Sequence, residues 1–359
     1  MGGATIGAYR IDRELGSGGM GTVFAATTIA PAAGMSAGCR VALKVIHPHV
    51  ISDTASLARF RREAEIGLSI RHPNVVMTLD AGESDGRHWL ALEYVEGVTL
   101  HALRAELGIV PEQLCRYVAH EVAAGLAAIH AAGIVHRDIK PENVIVAGAS
   151  GRGVAQNGAR APDARQDCVV KVMDLGVARG AEHDARVTKT GAFVGSLQYA
   201  APEQFSGGGL GIDGRVDLHA LGVVLYELSS GANPFADDDW RVVFQRVLKE
   251  TPRALGTVNP QISPYFEELV HTLLAKDPAA RFASAAELVA VLDAGEGSAW
   301  WTARAQAIAS AAQRPLRRVA LPRETALFGR DDEIAALHAA FDAARSGAGG
   351  TVLVEGEAG

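Results

Sequence analysis

The sequence predicts an α+β protein of two lobes: a small antiparallel β lobe with one helix, then a larger, mostly α-helical lobe. Three observations carry this. Up to about residue 95 the chain reads as short apolar strands around one helical pattern, and after Gly97 the apolar spacing is that of helices. A chain of 359 residues has room for two or three folding units at roughly 150 residues each. With 48% apolar and 21% charged residues it has the balance of a globular protein rather than a disordered one.

The elements follow in order. Residues 9–15 and 23–27 flank a glycine cluster, the pattern of a hairpin with a wide loop. Residues 28–40 are rich in Ala and Gly and read as a loose connection, and 41–46 form a short apolar strand. From an N-cap at Ser52 or Asp53 a helix runs to about Ile70, with Leu57, Phe60, Ala64 and Leu68 at helical spacing. Residues 75–79 and 88–94 read as two more strands. Leu114, Val118, Val122, Leu126 and Ile129 line one face of a long helix. Further helices are expected near 214–230, 238–249, 264–275 and 284–293, the last opened by a capping box at Ser284 and Glu287. Residues 147–167 are polar, glycine-rich and aperiodic, so a flexible surface insertion is expected there. Residues 295–323 read as a linker with one helix-prone stretch, whose Trp300-Trp301 pair is expected to pack against the lobe.

Composition excludes several classes. Thirty-four basic against 41 acidic residues give a net charge of −7, so no nucleic-acid partner is expected. Three scattered cysteines are too few for a disulfide framework or a metal site and fit a reducing cytoplasm. The N-terminus lacks the apolar core of a signal peptide, and no run of about 18 apolar residues occurs. The expectation is a cytoplasmic chain without a membrane segment.

Gly16, Gly18 and Gly21 have the spacing G-x-G-x-x-G, a weak signal alone. A dinucleotide fold needs a helix next and an acidic residue about 20 positions on. Thr22 and Val23 follow instead, and no Asp or Glu lies between Glu14 and Asp53, so that reading fails. A ligand-free hairpin and a hairpin whose N–H groups approach phosphates both remain open. Lys44 sits on the apolar strand, where a lysine is costly unless paired. Glu63 shares the inward stripe of Phe60 and Gly67, so the two read as an ion pair aimed at phosphate or as two snorkelling surface residues. The run His136-Arg137-Asp138-Ile139-Lys140-Pro141-Glu142-Asn143 is far more specific. Asp138 can accept a hydroxyl proton, Lys140 can neutralise a transferring phosphoryl group, and the Asn143 amide oxygen can hold a divalent cation.

On that octet the chain resembles a protein kinase, in detail the bacterial Hanks-type serine/threonine kinases, over roughly residues 9–294. The resemblance implies the bilobal protein-kinase fold: an N-terminal tail 1–8, a small lobe about 9–95 and a large lobe about 96–294. It implies ATP with Mg2+ or Mn2+. Asp138, Lys140, Asn143 and Lys44 take the catalytic positions, and Asp174 with Asn143 the metal-binding ones. Gly16, Ser17, Gly18, Gly19, Met20 and Gly21 match the phosphate loop, and Glu63 the helix partner of Lys44. Leu15, Val23, Ala42 and Ile145 would sandwich the adenine, Glu93 and Val95 would bond its edge through their backbones, and Leu92 would be the gatekeeper.

Leu175, in Asp174-Leu175-Gly176, replaces the Phe of D-F-G. By the same resemblance Asp217 should tie down the backbone of the octet, and Glu203, in Ala201-Pro202-Glu203, should pair with Arg281 to pin the activation segment. Lys140 two residues after Asp138 implies serine/threonine rather than tyrosine specificity, and Ser196 stands where the family usually has threonine. Arg137 with Thr188 and Thr190 implies activation by loop phosphorylation, and self-association for trans-autophosphorylation. The expected partners are protein substrates with Ser or Thr acceptors. The alternative is a catalytically silent kinase-fold binding module that regulates a C-terminal ATPase. The presence of Lys44, Asp138 and Asp174 weighs against it.

Residues 327–333 open a helical stretch to about Arg345, followed by a strand at 351–355 and Gly356-Glu357-Ala358-Gly359. This resembles the start of an ATPase domain of the AAA or signal-transduction type. Residues 324–359 are thus expected to be the truncated beginning of a P-loop domain, ending before the P-loop lysine.

Overall fold

Apolar alternation near the N-terminus builds a six-stranded antiparallel sheet in the computed structural model, which describes residues 3–19, 21–51, 54–148, 168–175, 197–205, 212–312 and 331–346. The strands are β1 (Thr5–Ile6), β2 (Tyr9–Gly18), β3 (Gly21–Thr28), β4 (Arg40–Ile46), β5 (Thr78–Ser84) and β6 (Arg87–Glu93), in the order β1-β2-β3-β4-β6-β5. One helix, α1 (Thr54–Ser69), covers one face, where Phe60 and Ala64 pack on Ile46 and Leu90. Ser52 and Asp53, the expected N-cap, lie outside the described residues.

The other sheet face buries Tyr9, Ile11, Leu43 and Trp89. It is covered by the chain itself. Ile6 and Ala8 fold over it from the N-terminus. Ala32 and Met35, in the connection expected to be loose, bond each other's backbones and pack on the same cluster.

One strand differs from expectation. Val75 and Val76 are apolar because they meet the other lobe, not because they pair within this sheet. The Val76 N–H donates to the Val172 carbonyl at 2.9 Å, and the Val172 N–H to the Asn74 carbonyl at 2.8 Å. The true edge strand begins at Thr78 and runs through polar residues to Ser84, with Asp80 accepting the buried Tyr9 hydroxyl at 2.8 Å.

The larger lobe opens with β7 (Val98–Thr99), α2 (Leu100–Leu107) and α3 (Glu112–Ala131), whose predicted stripe is buried at Val118, Val122, Leu126 and Ile129 and half-buried at Leu114. β8 (Val144–Gly148) and β9 (Cys168–Val172) join β7 in a three-stranded sheet. Residues 149–167 of the expected insertion lie outside the described residues. Then come α4 (Arg215–Ser230), α5 (Trp240–Lys249), α6 (Leu255–Val258), α7 (Pro264–Leu273) and α8 (Ala285–Ala294). Buried residues surround α4 on every side, as befits a central pillar. Ser284 caps α8 through the Glu287 N–H, but the Glu287 carboxylate reaches back to the Ala283 N–H rather than to that of Ser284, so only half of the capping box forms as expected.

A first compact unit spans Met1–Ala303. The start of α9 (Ala299–Ala312) therefore belongs with it. Trp300 and Trp301 pack edge-on against Tyr265 at centroid distances of 6.0 and 5.6 Å, and Arg116 stacks on the same Tyr265 ring at 4.5 Å. Arg116 also pairs with Glu112 and Glu296, both at 2.6 Å. In the second unit, Arg304–Gly359, α10 (Asp331–Arg345) forms where a helix was expected, and 347–359, with the expected strand and glycines, lies outside the described residues. Among the described residues no helix is long and apolar enough to cross a membrane.

The aromatic clamp yields a prediction. Trp301→Ala should lower stability by about 2 kcal/mol, below the full cost of truncating a wholly buried Trp because this ring is only partly buried. The measurement is the urea midpoint at unchanged m-value.

Candidate active site

Sheet register gathers the first group of side chains. Val23 pairs with Lys44, Lys44 with Leu90, and Ala42 with Leu92. Paired residues share a face and alternate residues return to it, so Val23, Ala42, Lys44, Leu90 and Leu92 look the same way. Lys44, Leu90 and Leu92 line a small cavity with Val76, Thr78, Asp174 and Leu175. The Lys44 ammonium lies 2.5 Å from Asp174 Oδ1. Glu63 sits on α1, and its side chain, like Met20, lies outside the described residues.

The glycines of the hairpin do different things. A Cβ on Gly21 would come within 2.3 Å of the Val45 carbonyl, so glycine there is demanded by the neighbouring strand. A Cβ on Gly16, Gly18 or Gly19 would meet no atom within 4 Å. Leu15 is 40% exposed at the hairpin's edge.

The octet is built by its backbone. Asp217, on the first turn of the buried α4, accepts the His136 N–H at 2.8 Å, the Arg137 N–H at 2.7 Å and His130 Nε2–H at 2.8 Å. This holds Arg137 at φ 60°, a left-handed position that costs a non-glycine residue energy. His136 works on both sides. Its Nδ1 accepts the Asp138 N–H at 3.3 Å, and its Nε2–H donates to the Met173 carbonyl at 3.0 Å. That tautomer follows from the partners, because a carbonyl can only accept. Asn143 Nδ2 donates to the Asp138 carbonyl at 2.8 Å and to Asp138 Oδ2 at 3.0 Å, while Lys140 Nζ lies 3.3 Å from Asp138 Oδ2. Asp138, Lys140 and Asn143 thus form one bonded cluster.

Asp174 sits beside this cluster, also at a positive φ of 58°. Burial pushes its carboxyl up, but the charge and hydrogen bond of Lys44 more than offset this, helped by His136 and Lys140. The net result is a carboxyl held below its usual range and therefore ionised. Both Asn143 bonds use the amide nitrogen, which turns the amide oxygen away from Asp138. An ionised carboxylate and an amide oxygen suit a hard divalent cation that keeps waters and substrate oxygens as its other ligands. No cluster of three or more His, Cys, Asp or Glu side chains that could hold a metal without such help occurs among the described residues.

Two features were not anticipated from the sequence. Lys171 on β9 pairs with the Glu93 carboxylate at 2.9 Å, and Glu93 also accepts the Met77 N–H at 3.3 Å. The residue leaving the small sheet is thereby tied to the large lobe. Its only sequence signal is a lysine in an otherwise apolar strand, the same signal that marks Lys44. The second is the His130–Asp217 bond, made possible by Gly214, where a Cβ would come within 2.5 Å of the His130 ring. The two expected anchors do form. Arg281 holds Glu203 through two bonds at 2.6 and 2.9 Å and also donates to the Arg215 carbonyl at 3.0 Å. Gly176, Thr188, Thr190 and Ser196 lie outside the described residues.

Residues 9–291 match the protein kinase domain family, and the chain belongs to it. The branch follows from its relatives, which are bacterial. The chain is 36% identical over 305 residues to the serine/threonine-protein kinase PknJ of Mycobacterium tuberculosis, covering 83% of this chain and 48% of that protein. It is 35% identical over 292 residues to the serine/threonine-protein kinase pkn3 of Myxococcus xanthus, covering 80% and 49%. The chain spans about half the length of these curated relatives. Among solved structures it is similar to the PknI kinase domain of M. tuberculosis, with a TM-score of 0.59 at 26% identity over 83% of this chain and 99% of that one. Small sheet lobe and helical lobe both conform to that fold.

Asp217 carries a sharp prediction. Asp217→Asn replaces one acceptor oxygen by a donor that must face N–H groups. It should lower stability by about 2 kcal/mol, read as a shift in thermal or urea midpoint, whereas Asp213→Asn, on an exposed carboxylate two residues before the helix, should change it little.

Proposed function

We propose that this chain transfers the γ-phosphoryl group of ATP to serine or threonine hydroxyls of proteins. The observation that supports it most is the bonded cluster of Asp138, Lys140 and Asn143, hung from Asp217 and placed beside the Lys44–Asp174 pair. The acceptor oxygen attacks the γ-phosphorus, the bond to the β–γ bridging oxygen breaks, and ADP leaves. Asp138 accepts the hydroxyl proton and orients that oxygen. Lys140 faces the charge on the phosphoryl group in flight, and Lys44 faces the phosphates that stay behind. Asp174 and Asn143 would hold Mg2+ or Mn2+, which when bound would further neutralise the phosphate charge. The backbones of Gly16, Ser17, Gly18, Gly19, Met20 and Gly21 cover the phosphates. Glu63 exchanges Asp174 for itself as the partner of Lys44. Leu15, Val23, Ala42 and Ile145 enclose the adenine, and the backbones of Glu93 and Val95 bond its edge.

Arg137 directly precedes Asp138, and phosphate on Thr188 or Thr190 would pair with its guanidinium and order the segment. Two copies meet transiently for this step. The kinase domain spans 9–294, residues 324–359 are the start of a P-loop ATPase domain, and the protein works in the cytoplasm. The silent-module reading has no observation in its favour, since Lys44, Asp138, Asn143 and Asp174 stand together.

The test is autophosphorylation of the full chain with ATP and Mg2+, with phosphosites mapped by mass spectrometry. Asp138→Asn should lower the rate at least about a hundredfold. Phosphate on Thr188 or Thr190, absent in that variant, is the expected result. ATP binding without transfer to the chain or to an added protein would sink the reading. For the switch, replacing both threonines by Ala should slow phosphorylation of an added substrate, and an unchanged rate would refute it.

A further inference from the structure

The outer side of the glycine-rich hairpin carries two imidazoles that the reaction does not use. β2 is exposed from Asp12 to Gly18, so packing does not hold its tip. Ser17 and Thr22 are cross-strand partners, and Thr22 pairs with Val45. Alternation puts this row on the face opposite Val23 and Lys44. Ser17 Oγ lies 3.0 Å from Thr22 Oγ1, which lies 3.2 Å from His47 Nε2. His47 directly follows β4, so one row of side chains crosses from β2 over β3 to the end of β4. Two residues on, His49 Nε2 lies 3.1 Å from the Gly19 carbonyl, which can only accept, so His49 donates. The two rings stand 5.5 Å apart.

We propose that His47 and His49 are positioning residues that latch the hairpin from behind and set the height of its N–H groups over the nucleotide phosphates. The inference rests on the reading of the cleft as an ATP site. A free glycine loop must lose conformational freedom when it closes on a triphosphate, and a loop already held loses less. The latch therefore favours ligands that reach the phosphate loop. It does nothing for a ligand held only at Glu93 and Val95.

The experiment is calorimetry on the full chain with two probes, ATP with Mg2+ and adenosine. The variants are the double replacement His47→Ala with His49→Ala, and His49→Gln, whose amide keeps a donor. The double variant should bind ATP about tenfold more weakly, as expected for two modest hydrogen bonds. Adenosine affinity should stay within about twofold, and His49→Gln should stay near wild type. Without nucleotide, amide exchange at residues 14–22 should rise in the double variant, and unchanged exchange would overturn the latch. Unchanged ATP affinity, or equal losses for ATP and adenosine, would also overturn it while leaving the ATP site in place. Wild type that binds neither probe would remove the ATP reading and the latch with it.

Discussion

One buried carboxylate organises the site. Asp217 takes two backbone N–H groups and one imidazole N–H, from a position that is itself 1% exposed on the lobe's central helix. The octet could not keep its shape on its own, because Arg137 is held in a left-handed conformation that only an external partner can stabilise. His136 then extends the same hold to Met173, one residue before Asp174. The guanidinium of Arg281 bonds the Arg215 carbonyl two residues before Asp217 while gripping Glu203. The first turn of α4 is therefore the junction from which both the Asp138–Lys140–Asn143 cluster and the segment around Glu203 are suspended.

The small lobe is registered on the large one by a second set of contacts. Asn74 donates to Glu121 on α3 at 2.6 Å and to the Val170 carbonyl at 2.8 Å. Val76 and Val172 join the two lobes through their backbones, and Lys171 holds Glu93. These bonds sit on both sides of β5 and β6, the strands nearest the large lobe, and leave the glycine-rich hairpin at the far end of the sheet. A lobe fixed at one edge and free at the other is suited to opening and closing over a ligand.

Much of this was legible in the sequence because the chemistry needs particular side chains in one short run. His136 to Asn143 pointed to its own function, and helical spacing placed α1, α3, α4 and α8 within a residue or two. What was not legible depends on partners far apart in the chain. Val75 and Val76 look like a strand by composition, yet their apolar character serves a contact with Val172, about a hundred residues later. Glu93 was assigned by its backbone alone, and nothing local reveals that its carboxylate answers Lys171. Gly21 carries the phosphate-loop spacing, yet the reason it must be glycine lies in the Val45 carbonyl beside it. The packing of the tandem tryptophans on the lobe was expected, but that Glu296 pairs with Arg116 to seal it was not, since that partner lies 180 residues earlier.

The Lys44–Asp174 pair gives the cleft a charge balance of its own. Neither group waits alone in a poorly hydrated place, where an isolated charge would be costly. On the proposed ATP reading, ligand entry would be a double exchange, in which the ammonium leaves a carboxylate for a phosphate and the carboxylate needs a new cation in return. An anion arriving without that cation would strip Asp174 of its counter-charge. On the same proposed reading, the nucleotide and its metal would depend on each other before any chemistry begins.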